Sequence, residues 1–546
     1  MKAIRILASA LACVSSLGVM ASTDKTAPIE KQLHRHIAVM ASDEFEGRAP
    51  GSPGEDKTVE YLVKEFAALG AKPGNKGSWF QEVPIRSVTV EPDAVLSLRG
   101  EGFSRDLSYG SEMVVSTQRQ VDSVELKDSE LVFVGYGIYA PEREWNDYAG
   151  LDVRGKTVVI LVNDPGYATQ DYELFNGNNM TYYGRWDYKY AEAARQGAAG
   201  AIIVHETAPA AYPWEVVENS WSGPQFGLQA ANLNADKVAV EAWIPLAQAE
   251  ELFRAAGQDY QALKAKAAMP GFRAVALGGI QASTSLEISL ADSNSRNVLA
   301  LIPGSQYPEE VIVYTSHWDH LGKRETDDGV EIYNGAADNA SGTAGLLALA
   351  EMFLAAEEAP ERSILLLAVT AEESGLLGSK WYGQNPVYPL ENTVANFNMD
   401  NIAGIGRTRD IAVVGFGNSE LEFYLERAAQ VQGREVVPEP FPERGYYYRS
   451  DHFSLARVGV PAMYLTTGTD SVEHGREWGE AQQKDYTTYR YHKPGDEYSP
   501  EWDLAGAAEE ILLLYMMGTE LGNNRDFPAW AEGVEFKAVR DAQRAK

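Results

Sequence analysis

Two histidines and a series of acids stand where chain segments end or turn. The apolar run Val311-Ile312-Val313-Tyr314-Thr315-Ser316 stops at His317-Trp318-Asp319-His320. Gly335-Ala336-Ala337-Asp338-Asn339-Ala340-Ser341-Gly342 then opens a helical stretch. Leu365-Leu366-Leu367-Ala368-Val369 runs into Thr370-Ala371-Glu372-Glu373-Ser374-Gly375, and Ala395-Asn396-Phe397-Asn398-Met399 runs into Asp400. Ser450-Asp451-His452 and Tyr491-His492-Lys493-Pro494-Gly495-Asp496 come later. Carboxylates gathered this closely repel one another and are hard to strip of water. Divalent cations remove both difficulties. Imidazole with carboxylate is a zinc-type donor set, whereas an all-oxygen set suits calcium or magnesium. One shared carboxylate can bridge two cations about 3.5–4 Å apart, the arrangement of two-metal hydrolases.

Taken singly, each residue has a plain structural reading. His317 is then a hydrogen-bonded core histidine, Asp338 a helix N-cap, Glu372 and Glu373 a solvated pair before a turn, and Asp400 a loop acid. His492 alone says almost nothing. These six residues, spread over separate strand ends and loops, point together to a site.

The elements that must position them alternate between strand and helix. Strands are expected at Val311 to Ser316, Ser363 to Val369, Asn392 to Met399, Ile411 to Val414 and Ala462 to Leu465. Helices are expected after Ser341 and Gly375, from Ser419, and from Leu504 to Leu521. This is an α/β fold with a mainly parallel sheet flanked by helices, whose ligands bind beyond the carboxyl ends of strands. Upstream, Ser52-Pro53 predicts a helix start, with Ser52 as N-cap, Glu55 at the third position and Gly70 as terminator. Ser42-Asp43-Glu44-Phe45-Glu46-Gly47-Arg48 reads as the loop before it. Between about residues 126 and 284 a smaller α/β unit is expected, built on Leu131 to Gly137, Thr157 to Val162 and Ala201 to Val204.

The chain has 546 residues, with 47 Lys+Arg against 78 Asp+Glu and a net charge of −31. So acidic a surface repels phosphate backbones and excludes a nucleic-acid partner. Hydrophobic residues at 45% and charged residues at 23% are the balance of a globular protein. Lys2 and Arg5, the apolar stretch Ile6 to Met20, and small Val19 and Ala21 have the pattern of a signal peptide, residues 1–21, cleaved near Ala21. Lipid attachment at Cys13 is the alternative. Cys13 is the only cysteine, so cleavage would leave no disulfide or thiolate chemistry. A secreted or periplasmic bacterial protein with no stable membrane span is expected.

The combined set His317-x-Asp319, Ala337-Asp338-Asn339-Ala340-Ser341-Gly342, Ala371-Glu372-Glu373-x-Gly375, Met399-Asp400, Ser450-Asp451-His452 and Tyr491-His492-Lys493-Pro494-x-Asp496 resembles the M28 family of zinc peptidases. The likeness covers about residues 290–525 and the stretch with Glu46-Gly47-Arg48. It implies a zinc-dependent exopeptidase fold and two zinc ions per chain. Asp338 would bridge them, His317 and Asp400 would complete one ligand set, and Glu373 and His492 the other. Glu372 would be the general base, Asp319 would orient His317, and Tyr447 would stabilise the oxyanion, with Tyr446 and Tyr448 as alternatives. Val134-Gly135-Tyr136-Gly137, Gly155-Lys156 and Ala191 to Val204 resemble a protease-associated (PA) domain. The implied division is a catalytic domain at 28–125 and 285–525, an inserted domain at 126–284 and a tail at 526–546. Tyr212, Trp214 and Trp221 are read either as part of a lid or as that domain's core.

The resemblance implies an aminopeptidase acting on peptides. A carboxypeptidase or dipeptidase of the same family, and a single-zinc glutaminyl cyclase, are the competing readings. An aminopeptidase needs acids near the free amine, for which Glu443, Glu473 and Glu477 are candidates. A carboxypeptidase needs a cation, for which Arg444, Arg449 and Arg476 are candidates.

Overall fold

The computed structural model describes residues 26–326, 329–402 and 404–545. The expected signal peptide and Cys13 lie outside the described residues. Two compact units emerge. The first takes the chain up to Val83, Asn294–Pro440 and the chain from Arg449 onward; the second takes Pro84–Ser293 and Phe441–Tyr448. The second unit therefore starts at Pro84 rather than at the expected 126, and takes in a short segment from late in the sequence. Strand pairing accounts for the earlier start. Strand Val95–Gly100 pairs with Gln281 to Ser283, and Val114–Ser116 pairs with Val240–Pro245.

In the first unit, Tyr307–His317 lies between two parallel neighbours, Arg362–Val369 and Thr393–Asn398. Ala462–Thr467 pairs parallel to Thr393–Asn398, and Asp410–Val414 continues the sheet antiparallel. On the other side, the end of Val275–Ile302 closes antiparallel on Arg362–Val369. Every residue of Arg362–Val369 is buried. Its alternate side chains feed two cores: Ile364, Leu366 and Ala368 meet the helices on one face, while Leu365, Leu367 and Val369 pack with Tyr382 and Leu455 on the other. Burial on both faces explains why these strands read as continuous apolar runs. The expected mainly parallel sheet flanked by helices is present.

The helix Pro53–Leu69 starts and stops as its sequence predicts. Ser52 Oγ accepts from the N–H groups of Gly54 and Glu55, and Gly70 takes a left-handed conformation at φ 102°. The helix Ala505–Gly522 and its neighbours Ser341–Ala355 and Leu421–Gln432 cover one sheet face. The expected tail belongs to this unit: Trp530 is buried and donates to Gly459 O at 3.0 Å, and Arg540 donates to Leu390 O and Thr393 O at 2.8 Å.

The second unit has its own sheet, with parallel pairing of Ser123–Phe133, Thr157–Leu161, Gly200–His205 and Val240–Pro245. Trp221 is buried in the core of that unit, with Tyr212 and Trp214 packed against it.

Candidate metal centre

Three adjacent parallel strands have their carboxyl ends at the same sheet edge, and that is where most of the candidate residues collect. His317 is the last residue of the central strand Tyr307–His317. Glu372 and Glu373 follow the neighbouring strand Arg362–Val369, and Asp400 follows Thr393–Asn398 on the other side. Asp338 comes from the turn before the helix Ser341–Ala355, and His492 from the loop after Arg476–Tyr489.

Asp338 sits between the two imidazoles. Its Oδ1 is 3.3 Å from His317 Nε2 and its Oδ2 is 3.3 Å from His492 Nε2. Asp400 Oδ1 lies 3.4 Å from His317 Nε2, and Glu373 Oε2 lies 3.0 Å from His492 Nε2. Ligand atoms of His317, Asp338 and Glu373 fall within 4.8 Å of one another, as do those of His317, Glu372 and Asp400. The His492 side chain is 38% exposed, so the cluster meets solvent on that side. Tyr491 stacks on the His492 ring with centroids 3.9 Å apart.

Burial and charge act against each other on these groups. Burial alone would push the His317 imidazole down, but the Glu372 and Asp400 carboxylates override it and hold it well above its ordinary value. His492 goes the same way, to about 10, because Glu373 and Asp338 outweigh its burial. Burial pushes Glu372 well above the usual carboxylate range and Asp319 up to about 7. For Glu373, burial and Asp338 push upward, yet His492 and His320 prevail and hold it at about 2. The donor set, two imidazoles around one shared carboxylate with a further carboxylate on each side, fits zinc.

Neighbouring groups fix each donor. His317 Nδ1 faces the Asp319 main-chain carbonyl at 3.2 Å, while the Asp319 carboxylate lies 3.8 Å away. That carboxylate accepts instead from the Glu372 N–H at 3.1 Å, so Asp319 touches both His317 and Glu372. Asp496 accepts from the N–H groups of Ala337 and Asp338, each at 3.0 Å. A directed chain ends on Asp400: Thr315 donates to Asn398 at 2.7 Å, Asn398 to Ser450 at 2.7 Å, and Ser450 to Asp400 Oδ2 at 2.6 Å. Asn339 joins two of the loops by donating to Met399 O at 3.0 Å and Ser316 Oγ at 3.1 Å. Ala371 and His492 hold left-handed φ values of 51° and 56°, sparsely populated conformations for residues with a side chain.

Arg48 is the residue whose part the sequence left unassigned. Its buried guanidinium donates to Trp318 O and Met40 O at 2.8 Å, to Asn334 O at 2.6 Å and to Gly335 O at 2.8 Å. It ties the segment after His317 to the turn before Asp338. His320 is a second: its Nδ1 lies 2.7 Å from Glu373 Oε1. Both were visible in the sequence, Arg48 within Glu46-Gly47-Arg48 and His320 three residues after His317, but neither pattern stated a contact.

Tyr447 is buried in the turn Tyr446–Tyr448 and packs edge-on against Tyr448. It falls in Phe441–Tyr448, which groups with the second unit, whereas the donors above belong to the first. Among the arginines weighed for a substrate carboxylate, Arg476 pairs with Asp410 at 3.1 Å and Arg444 lies over the Phe441 ring.

The strand order and the donors at the strand ends define an α/β protein with a histidine–carboxylate centre of the metallohydrolase kind. Residues 297–516 match the model of peptidase family M28. It is 44% identical over 85 residues to a "Probable zinc metalloprotease" of Leptosphaeria maculans, an alignment covering 15% of this chain and 19% of that protein. It is 31% identical over 140 residues to aminopeptidase NAALADL1 of Rattus norvegicus, covering 24% of this chain and 17% of that one. The chain thus spans less than a fifth of these relatives' length. Among solved structures it resembles an aminopeptidase from Aneurinibacillus sp. strain AM-1, at 20% identity and a TM-score of 0.49, over 92% of this chain and 96% of that one.

Proposed function

We propose that the protein is a zinc-dependent aminopeptidase that removes N-terminal residues from peptides, with two zinc ions per chain. The observation that carries this reading is Asp338, whose two oxygens each face a different imidazole at 3.3 Å, with Asp400 and Glu373 completing the two sets. Bound zinc supplies an acidified water and polarises the scissile carbonyl. The chain's own residues do the rest. Asp338 is shared between the ions; His317 and Asp400 hold one, and Glu373 and His492 the other. Glu372 takes the proton from the attacking water and passes it to the leaving amine. Its N–H is fastened to Asp319, which fixes where the carboxylate starts from. Tyr447 is proposed as the oxyanion donor on the family resemblance, with Tyr446 and Tyr448 as alternatives.

The inserted unit is proposed to be a PA-type domain that governs substrate access. We read residues 1–21 as a signal for secretion; among the described residues no helix is long and apolar enough to cross a membrane.

Mass spectrometry of one peptide in two forms tests the activity. Zinc-loaded protein should shorten a free peptide stepwise from its N-terminus and leave the N-acetylated form intact. Trimming of both forms from the C-terminus would overturn the aminopeptidase assignment in favour of a carboxypeptidase. Cyclisation of an N-terminal glutamine without chain shortening would favour the cyclase.

A further inference from the structure

His320 is a buried histidine beside the proposed metal centre that the roles above leave unused. It follows the strand Tyr307–His317 by three residues. Its Nδ1 lies 2.7 Å from Glu373 Oε1, while the other oxygen, Oε2, lies 3.0 Å from His492 Nε2. The two oxygens of Glu373 are therefore divided between one histidine on each side. A carboxylate with both oxygens free can swing or chelate; one with an oxygen already hydrogen-bonded presents the other in a fixed direction.

The His320 ring is itself held. Its main-chain N–H meets Arg48 O at 3.4 Å. Gly335, at φ 52°, lies so close that a Cβ there would come within 2.5 Å of His320 Cγ and Cδ2. Its Nε2 is buried and has no hydrogen-bond partner among the described residues. Among the described residues, the one hydrogen bond of the ring is thus that to Glu373, whose carboxylate accepts, so Nδ1 is the protonated, donating nitrogen.

We infer that His320 is a positioning residue: it donates from Nδ1 to Glu373 Oε1 and so makes Glu373 a one-oxygen ligand, through Oε2, of the zinc it shares with His492. This rests on the proposed two-zinc reading. Partners that orient a metal ligand typically contribute about 10–100-fold in metal affinity. The effect belongs to the ion held by Glu373, because among the described residues the hydrogen bond of His320 goes to Glu373 and not to His317 or Asp400.

The test is zinc content of the full-length protein, measured by elemental analysis after equilibration across a series of buffered free-zinc concentrations. Wild type should bind two zinc ions. His320→Ala should weaken one of them by about 10–100-fold and leave the other unchanged. His320→Asn keeps an N–H near the Nδ1 position and should restore the weakened ion. In a Glu373→Ala background, His320→Ala should produce no further loss, since the partner it positions is already gone. Circular dichroism of each variant separates loss of metal from loss of fold, and the Asn variant keeps the test decisive if the Ala variant unfolds. Wild-type affinity for both ions in His320→Ala would overturn the inference. So would an Asn variant as impaired as the Ala variant, or additive losses with Glu373→Ala, either of which would make His320 a ligand in its own right. A wild-type protein that binds fewer than two zinc ions would instead overturn the two-zinc reading, and the inference with it.

Discussion

Glu372 and Glu373 are neighbours in sequence with opposite electrostatic fates. His492 and His320 hold Glu373 at about 2 against its burial, whereas burial pushes Glu372 well above the ordinary carboxylate range. In the proposed mechanism Glu373 holds zinc and Glu372 takes and returns the proton. Glu372→Gln should lower turnover by about 10²–10⁴-fold while bound zinc is retained; activity near wild type would refute the base assignment. Asp338→Ala removes the carboxylate that both imidazoles face and should cost the protein bound metal as well as activity. Elemental analysis checks it, and two zinc ions retained in that variant would contradict the shared role.

Elements place these residues, and two of their joints make predictions. Arg48 donates to four main-chain carbonyls, at Met40, Trp318, Asn334 and Gly335. A lysine carries the charge but lacks the planar fork of donors. Arg48→Lys should thus lose about 2–4 kcal/mol of stability, read from urea unfolding, because buried acceptors are left unmet. The second joint is between the helix at 26–40 and Pro53–Leu69, where the Tyr61 hydroxyl and His36 Nδ1 are 2.7 Å apart. Burial, with Arg35 adding to it, lowers His36 to about 4. His36 is 3% exposed, so it stays neutral in the fold while the unfolded chain protonates it. This contribution is complete above pH 6.5 and is lost as the pH falls from 6.5 toward 4, about 3 kcal/mol at most. Carboxylates titrate in the same window, so the comparison is between wild type and His36→Gln. The variant should show the shallower decline in stability between those pH values; equal slopes would exclude His36 as a contributor.

At the scale of the molecule, each unit has its own apolar core. Unfolding need not be a single transition in such a chain. The acids of the proposed metal centre all belong to one unit. Zinc at a hundredfold excess over its dissociation constant should add about 2.7 kcal/mol to that unit. Scanning calorimetry should accordingly show one transition falling on chelation and returning on zinc addition. A thermogram unmoved by chelator would argue against a metal centre in the folded protein.

Much of this was legible in the sequence where physics acts locally. Ser52, Pro53 and Gly70 mark the ends of their helix because caps depend on a few consecutive residues. The strands at 311–316 and 363–369 are legible because both of their faces are buried, which leaves a run of apolar side chains with no polar alternation. The donors at successive strand ends were legible for the same reason, since a parallel sheet sends its carboxyl ends to one edge. What the sequence could not determine is which groups meet across long separations. That Glu373 lies between His492 and His320, that the Asp319 carboxylate faces the Glu372 N–H, and that Arg48 links a loop 270 residues further on to one nearly 290 residues further on are decided by packing alone. The membership of Phe441–Tyr448 in the second unit is of the same kind. A hydrogen bond requires a direction and a distance, and only the tertiary structure supplies them.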